Sequence, residues 1–507
     1  MTLIRFRNII TVGALSACGF FSPSVFAQHA LVDPYKVTNG GDTALYHETF
    51  RPQYHFTPAH RWIGDPCGLV RYDGKYRAYS WGAAESDDLV HWTEINRDAI
   101  KGLPDRTSPF TGSVVVDTDN TAGYGENALI AVFTSYDEDS RKQSQSIAFS
   151  LDGGDTFNYY DRNPVIDIWS TEFRDPTVIR YVPTGKWIMS VAKALEKKVA
   201  FYESENLKDW KWISDFGPMG DNEKSWECPD LFQVNVEETG ETKWVLLVSV
   251  NWAREQYFVG DFDGKEFKPD KPYSEPLYVD DGLDYYASRT FQDYDSDRGE
   301  VLSLGWINTW DYAQQAPSRW GKGIWSIPRS LSLYTTPDGL RLRQKPFAGL
   351  SSLRSGNYRY HRKISAGTIS LPAIGDMNNQ YEMRLILAAL EDDTAGLNIC
   401  CGDGRKVSIS YDPASGYVTI GRLNSTAEDL PKFSRMACSK VTEGKGAPLD
   451  LDIFVDKSSV EIFVENGRKV MTLLTYAAPG QCGVEIFSQK GKADFNIEAW
   501  KIDSIWH

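Results

Sequence analysis

Past residue 27 the chain has little of what many enzyme chemistries require. Six cysteines remain there, Cys67, Cys228, Cys400, Cys401, Cys438 and Cys482, and no two stand as CxxC. That disfavours a zinc site. Cys438 with Cys400 or Cys401 is a disulfide candidate that spacing alone leaves open. The seven histidines form no HExxH or comparable ligand pair, and neither a GxSxG elbow nor a phosphate-cradling GxxxxGK[ST] occurs. Basic residues are in deficit, 54 against 69 acidic, for a formal charge of −15 and a pI near 5.1. Nucleic acid, whose phosphates such a surface would repel, is thereby disfavoured as a partner. No later apolar run is long enough to span a bilayer, and no helical period of any length survives.

What is present is a 507-residue chain, long enough for two or three domains. Its hydrophobic share of 41% and charged share of 24% are those of a globular protein. Aromatic content is high at 13%. All-β packing accounts for most of it, and aromatic faces also suit sugar rings. The N-terminus reads as an export leader over residues 1–27: basic Arg5 and Arg7, an apolar run from Ile9 to Phe21, and a small-x-small Val25-Phe26-Ala27 before Gln28. Leu15-Ser16-Ala17-Cys18 also resembles a lipoprotein processing box that would acylate Cys18. Either route leads out of the cytoplasm, to a secreted or periplasmic protein.

An internal repeat organises the next 300 residues. Ser86–Trp92, Ser150–Phe157, Ser204–Trp210 and Phe262–Phe267 share a turn closed by an aromatic residue, and those aromatics fall at 92, 157, 210 and 267. Before each lie strand-like runs: Lys75–Ser80, Ala128–Ser135 with Gln145–Ser150, Lys186–Ala192 with Val199–Ser204, and Lys243–Val250 with Gln256–Phe262. A fifth unit begins near Tyr285 and takes in Glu300–Trp306 without a clear hairpin. Repeats of this length, built from several short strands, indicate propeller blades; the rival is an all-β sandwich with chance likeness between hairpins. Past Leu340 the texture changes to short alternating strands (Tyr381–Leu387, Lys406–Tyr411, Leu449–Val455, Val460–Glu465, Gly483–Ser488), which read as a β-sandwich. The expected organisation is a five-bladed β-propeller over 46–340, a linker over 341–358 and a β-sandwich over 359–507.

Three acidic motifs stand at equivalent places in the repeat. Gly64-Asp65-Pro66, Arg174-Asp175-Pro176 and Glu227-Cys228-Pro229 each precede a strand and its turn. In a propeller the first strand of each blade lines the axis, so Asp65, Asp175 and Glu227 should converge at one mouth of the channel. The nearby Pro fixes the backbone that aims each carboxylate. Converging carboxylates suit a hard cation or glycoside hydrolysis. Arg174, a fixed cation beside Asp175, counts against the metal, and Trp62 and Trp226 offer apolar walls for a sugar. His91, ahead of a turn tryptophan, is read as structural.

The motifs, taken in order, resemble glycoside hydrolase family 32, the invertases, inulinases and levanases. The matching segments are Tyr54–Pro58, Trp62–Gly68, Asp88–Trp92, Phe110–Ser113, Phe173–Pro176, Trp226–Asp230, Gly305–Trp310 and Asp456–Phe463. The resemblance implies a five-bladed propeller joined to a sandwich. It implies a retaining β-fructofuranosidase that releases fructose from the non-reducing ends of levan, inulin or sucrose, without metal or organic cofactor. It makes Asp65 the nucleophile, Glu227 the general acid/base and Asp175 the transition-state stabiliser. Trp62, Trp81, Phe110, Ser113, Arg174, Cys228 and Trp310 are then the candidate substrate-binding residues.

The chain also departs from the family's pattern. Gly64 and Cys67 stand where the family usually has Asn, Ala83 stands where it has His, and a segment between Tyr79 and Trp81 is missing. Gly-Asp-Pro-Cys resembles some fungal fructosyltransferases, so sugar rather than water as acceptor is an alternative. An arabinan-cleaving propeller furanosidase and a non-catalytic sugar-binding propeller are the others.

Overall fold

The computed structural model describes residues 45–292, 300–389, 393–441 and 447–506. The leader, including Cys18, lies outside them. Among the described residues the only α-helix is the single turn Pro372–Gly375; nearly everything else regular is strand.

Five sheets, antiparallel but for one short parallel pair in the second, follow one another along the chain as propeller blades. Their inner strands are Cys67–Tyr72, Thr107–Asp117, Phe173–Tyr181, Trp226–Asn235 and Tyr286–Thr290, here belonging to blades 1 to 5. Each packs against the next, and the ring closes where Arg71 and Gln292, of blades 1 and 5, exchange backbone hydrogen bonds with Gln292 and Leu69. Alternating apolar residues bury both faces of the blades, and aromatic side chains fill the seams between them.

The repeated turn has a physical explanation. Asp88 Oδ1 accepts the N–H groups of Val90 and His91 at 2.9 and 2.8 Å, and Asn206 does the same for Lys208 and Asp209. Leu89 and Leu207 turn into the left-handed region at φ 66° and 62°, and the closing Trp92 and Trp210 donate their indole N–H back to those leucines' carbonyls. The side-chain acceptor replaces a backbone partner, which is why the motif recurs wherever a blade returns to its outer strand. His91 is exposed, and its Nδ1 lies 2.8 Å from Asp88 Oδ2 within this turn.

The fifth blade hides its hairpin because 22 residues, 307–328, separate its second strand, Val301–Trp306, from its third, Arg329–Thr336. The stretch 341–358, expected as a connector, is mostly regular. Gly339–Pro346 is the outer strand of blade 5, and Arg354–Ile364 already belongs to the next sheet. Only a 3₁₀ turn, Ala348–Leu353, lies between; Pro346 ends an edge strand, where proline is tolerated. Two six-stranded sheets then face each other across a core of Leu, Ile, Val and Met. No disulfide forms among the described residues: Cys400 is buried in that core, whereas Cys438 is exposed on an outer strand.

Candidate active site

The same irregularity recurs in all five blades. Pairing between the inner and second strands slips between Cys67 and Val70, Pro109 and Gly112, Arg174 and Thr177, Glu227 and Asp230, and Tyr286 and Arg289. Four of these bulges contain a left-handed residue: Gly68, Asp175, Cys228 and Ala287, at φ 52°, 65°, 48° and 53°. A bulge turns side chains that would lie along the blade toward one place. For Asp175, Cys228 and Ala287, which are not glycine, the conformation is strained and held by its surroundings. The N–H of Asp175 is accepted by Thr134 Oγ1 at 2.9 Å, that of Cys228 by Asp175 Oδ2 at 3.1 Å, and that of Ala287 by Ser249 Oγ at 3.1 Å.

Asp175 and Glu227 stand in these bulges, and Asp65 lies two residues before that of blade 1. The thiol of Cys228, the residue after Glu227, lies 3.5 Å from Asp65 Oδ2 and 3.6 Å from Asp175 Oδ2. Asp65 Oδ2 also accepts from Thr111 Oγ1 at 2.7 Å, while its Oδ1 is buried without a hydrogen-bond partner. Both oxygens of Glu227 are engaged: Oε1 by Arg174 Nε at 3.0 Å, Oε2 by the hydroxyl of Tyr286. Arg174 is wholly buried and is further fixed by Glu172 and Gln143 at 2.7 and 3.0 Å. Its guanidinium is thus hydrogen-bonded to Glu227. Among the described residues no cluster of His, Cys, Asp or Glu has the geometry of a metal site.

These surroundings separate the two acids. Withdrawal from water pushes Asp65 up to about 6, helped by the charge of Asp175 and opposed by Thr111, Arg289 and Cys228. Burial pushes Glu227 up to about 7, against Arg174 and with Asp175. Burial also raises the Cys228 thiol well above its ordinary range, so it is a neutral S–H donor between two carboxylates.

The candidate walls sort into two groups. Trp62 and Trp310 stack at 5.7 Å and 13° with part of each ring exposed, over a wholly buried Trp306. Phe110 is half-buried and stacks on Tyr136 at 4.5 Å. Others are packing. Trp226 is wholly buried against Phe216 and Phe258 in the seam of blades 3 and 4, so it is not the wall its position beside Glu227 suggested. Trp81 is buried and its indole holds the Phe110 carbonyl at 2.6 Å. Ser113 Oγ accepts the Val178 N–H at 3.1 Å and ties blade 2 to blade 3. Gly64 fits beneath Trp62, since a Cβ there would lie 3.0 Å from the indole nitrogen. Cys67 is buried in the seam of blades 1 and 2.

Sequence reasoning missed Tyr286 and gave Thr111 no role. Both occupy the inner-strand bulge of blades whose motif carries no carboxylate; matching that register across all five blades would have found them.

Sequence comparison agrees with this arrangement. The model of the Glycosyl hydrolases family 32 N-terminal domain matches residues 55–346, and that of the family 32 C terminal matches 349–501. A levanase of Bacillus subtilis (strain 168) is 34% identical over 485 residues, 89% of this chain and 70% of the relative. A levanbiose-producing levanase of the same organism is also 34% identical, covering 90% and 92%. The extracellular exo-inulinase of Aspergillus awamori is 30% identical, covering 91% and 96%. Its crystal structure superposes with a TM-score of 0.84 over 91% of this chain and all of that one, at 29% identity.

Proposed function

Because the chain belongs to glycosyl hydrolase family 32, we propose that the converging carboxylates are its catalytic apparatus, with Asp65 as nucleophile, Glu227 as general acid/base and Asp175 as stabiliser. The protein is a retaining β-fructofuranosidase acting on fructans or sucrose, as its levanase, exo-inulinase and β-fructofuranosidase relatives indicate. The observation that carries the assignment is the asymmetry of the two acids: Asp65 offers one unbonded buried oxygen, and Glu227 is bonded at both.

With a fructosyl unit against the Trp62–Trp310 face, Asp65 Oδ1 attacks the anomeric carbon while Glu227 gives its proton to the departing oxygen. The bond to the leaving alcohol breaks as the Asp65–fructosyl ester forms. Glu227, now ionised, takes a proton from water, which attacks the same carbon and releases Asp65. A separation of roughly 5 Å between the two carboxyl groups suits this double displacement. Asp175 accepts hydrogen bonds from ring hydroxyls, which accelerate the step insofar as they tighten while positive charge develops. No step calls for a metal or organic cofactor.

Action from chain ends, export through residues 1–27 and assignment of catalysis to the propeller belong to the same reading. The extracellular exo-inulinase relatives support the first two. Hydrolysis is favoured over transfer by the levanase and exo-inulinase relatives. Incubation with sucrose, inulin and levan should release free fructose from the first minutes, and Glu227→Gln should lower kcat by about 10³-fold with folding intact. A fully active Glu227→Gln enzyme would refute the acid/base assignment.

A further inference from the structure

Trp169 is 83% exposed, the most exposed of the large aromatic side chains in the described part of the chain. It is also held in place. It lies on the short strand Ile166–Ser170, which pairs with the third strand of blade 2 at Ile166–Gln145 and Ser170–Gln143 only, so that residues 167–169 bulge away from the sheet. Its own backbone is left-handed at φ 58°, a strained conformation for a tryptophan. Two local bonds pin it: the Trp169 N–H to Asp167 Oδ1 at 2.8 Å, and the Glu172 N–H to Ser170 Oγ at 3.0 Å. Lys142 bonds Asp167 at 2.8 Å and sets its ammonium 4.4 Å from the ring centroid, covering one face of the indole. The same cation therefore fixes both the bulge and the ring.

The register places this bulge at the same end of blade 2 as the side chains that hold Glu227. Ser170 pairs with Gln143; the side chain of Gln143 accepts from Phe173 N and Arg174 Nη1, both at 3.0 Å; and Arg174 bonds Glu227. The proton donor faces the leaving group, so a chain departing from the cleaved bond runs out over this rim. A strained bulge that presents a bare indole, one side on a cation and the other to solvent, stabilises nothing in the folded protein that burial would not stabilise better. An aromatic face stacked on the C–H surface of a furanose is a use that the exposure serves.

We propose that Trp169 is a stacking platform for a fructosyl unit on the leaving-group side, beyond the one next to the scissile bond, making it a specificity residue for polymeric fructan over sucrose. The proposal rests on the fructosidase reading above. The test compares kcat/KM for sucrose and for long-chain levan or inulin in the wild type, Trp169→Ala and Trp169→Tyr. The expected result is an unchanged value for sucrose and a fall of about 3- to 10-fold on the polymer for Trp169→Ala, carried by KM and restored by Trp169→Tyr. Because the side chain is exposed, thermal unfolding should be unaltered. An unchanged polymer-to-sucrose ratio, or an equal loss on both substrates, overturns the platform while leaving the fructosidase reading intact. A wild-type protein that cleaves none of the three substrates overturns both.

Discussion

In the proposed reaction Asp65 must be ionised to attack while Glu227 must be protonated to release the leaving group, and their different surroundings make this possible in one narrow interval. With Asp65 near 6 and Glu227 near 7, the competent pair is most populated between those values. A plot of kcat/KM against pH should be a bell with its maximum between about 6 and 7, its limbs belonging to the coupled pair. Arg174 stabilises the charged form of Glu227, so Arg174→Gln should raise the alkaline limb by about one pH unit while lowering the maximum. An alkaline limb that stays in place, or falls, would remove Arg174 as the group that tunes the acid.

Strand seams fix the bulges on which these side chains stand, and two of the seams use the same device. Thr134 on the second strand of blade 2 is bonded to Gln145 on its third, and it accepts the N–H of the left-handed Asp175 from blade 3. Ser249 in blade 4 is bonded to Glu255, at 3.4 Å, and accepts the N–H of the left-handed Ala287 from blade 5, next to Tyr286. Glu255 thus stands where the other seam has glutamine, held further by the N–H and hydroxyl of Ser288 at 3.0 and 2.6 Å. Burial pushes Glu255 up to about 8, above its value in an unfolded chain. Its contribution to stability is therefore complete below the unfolded value near 4.5, declines as pH rises toward 8 and reaches its minimum beyond it. Glu255→Gln should flatten that decline, unfolding at a higher temperature than the wild type at pH 8.5, by about 1 °C for each kcal/mol recovered. Identical pH dependence in the two proteins would show that the seam does not sense this group.

The two halves of the molecule are joined by buried ion pairs rather than by a linker. His55, in the segment that enters blade 1, lies between Asp456 and Glu461 of the sandwich at 2.8 and 3.0 Å. Asp456 also accepts the N–H groups of Gln53 and Tyr54, and Glu461 accepts from Ile327 N and Arg329 Nε. Asp284 meets Arg422 and Tyr312 in the same interface. Burial alone would depress His55, but the two carboxylates override it and lift it to about 9. Its stabilisation is thus full below about 6.5 and is lost as pH rises through 9, an effect of order 3 kcal/mol. His55→Gln should unfold more readily at pH 6 and lose the decline between pH 7 and 9. Such a variant with wild-type stability at pH 6 would dismiss the clamp. Through Ile327 the clamp also reaches the site, because Trp325 in the same segment donates its indole N–H to the Gly64 carbonyl beside Asp65 at 2.9 Å.

The sequence by itself determined whatever local chemistry writes: the period of the turn motif, the alternation of the strands, and the carboxylates at matched places in three repeats. Tertiary structure decided what depends on neighbours distant in sequence. Trp226 and Trp62 both stand near the converging carboxylates, yet one is buried in a blade seam and the other is partly exposed, because a strand's two faces are distinguished only by what packs on them. Thr111 and Tyr286 carry no acidic signal and gain their roles from a bulge visible only when inner and second strands pair. Arg174 reads beside Asp175 but bonds Glu227, since a left-handed backbone at Asp175 turns successive side chains to different partners. The connector expected at 341–358 became strand because a fifth blade, interrupted by 22 residues, needs an outer edge. Burial and long-range pairing set both the pKa values and the faces, and neither is a property of a residue's neighbours along the chain.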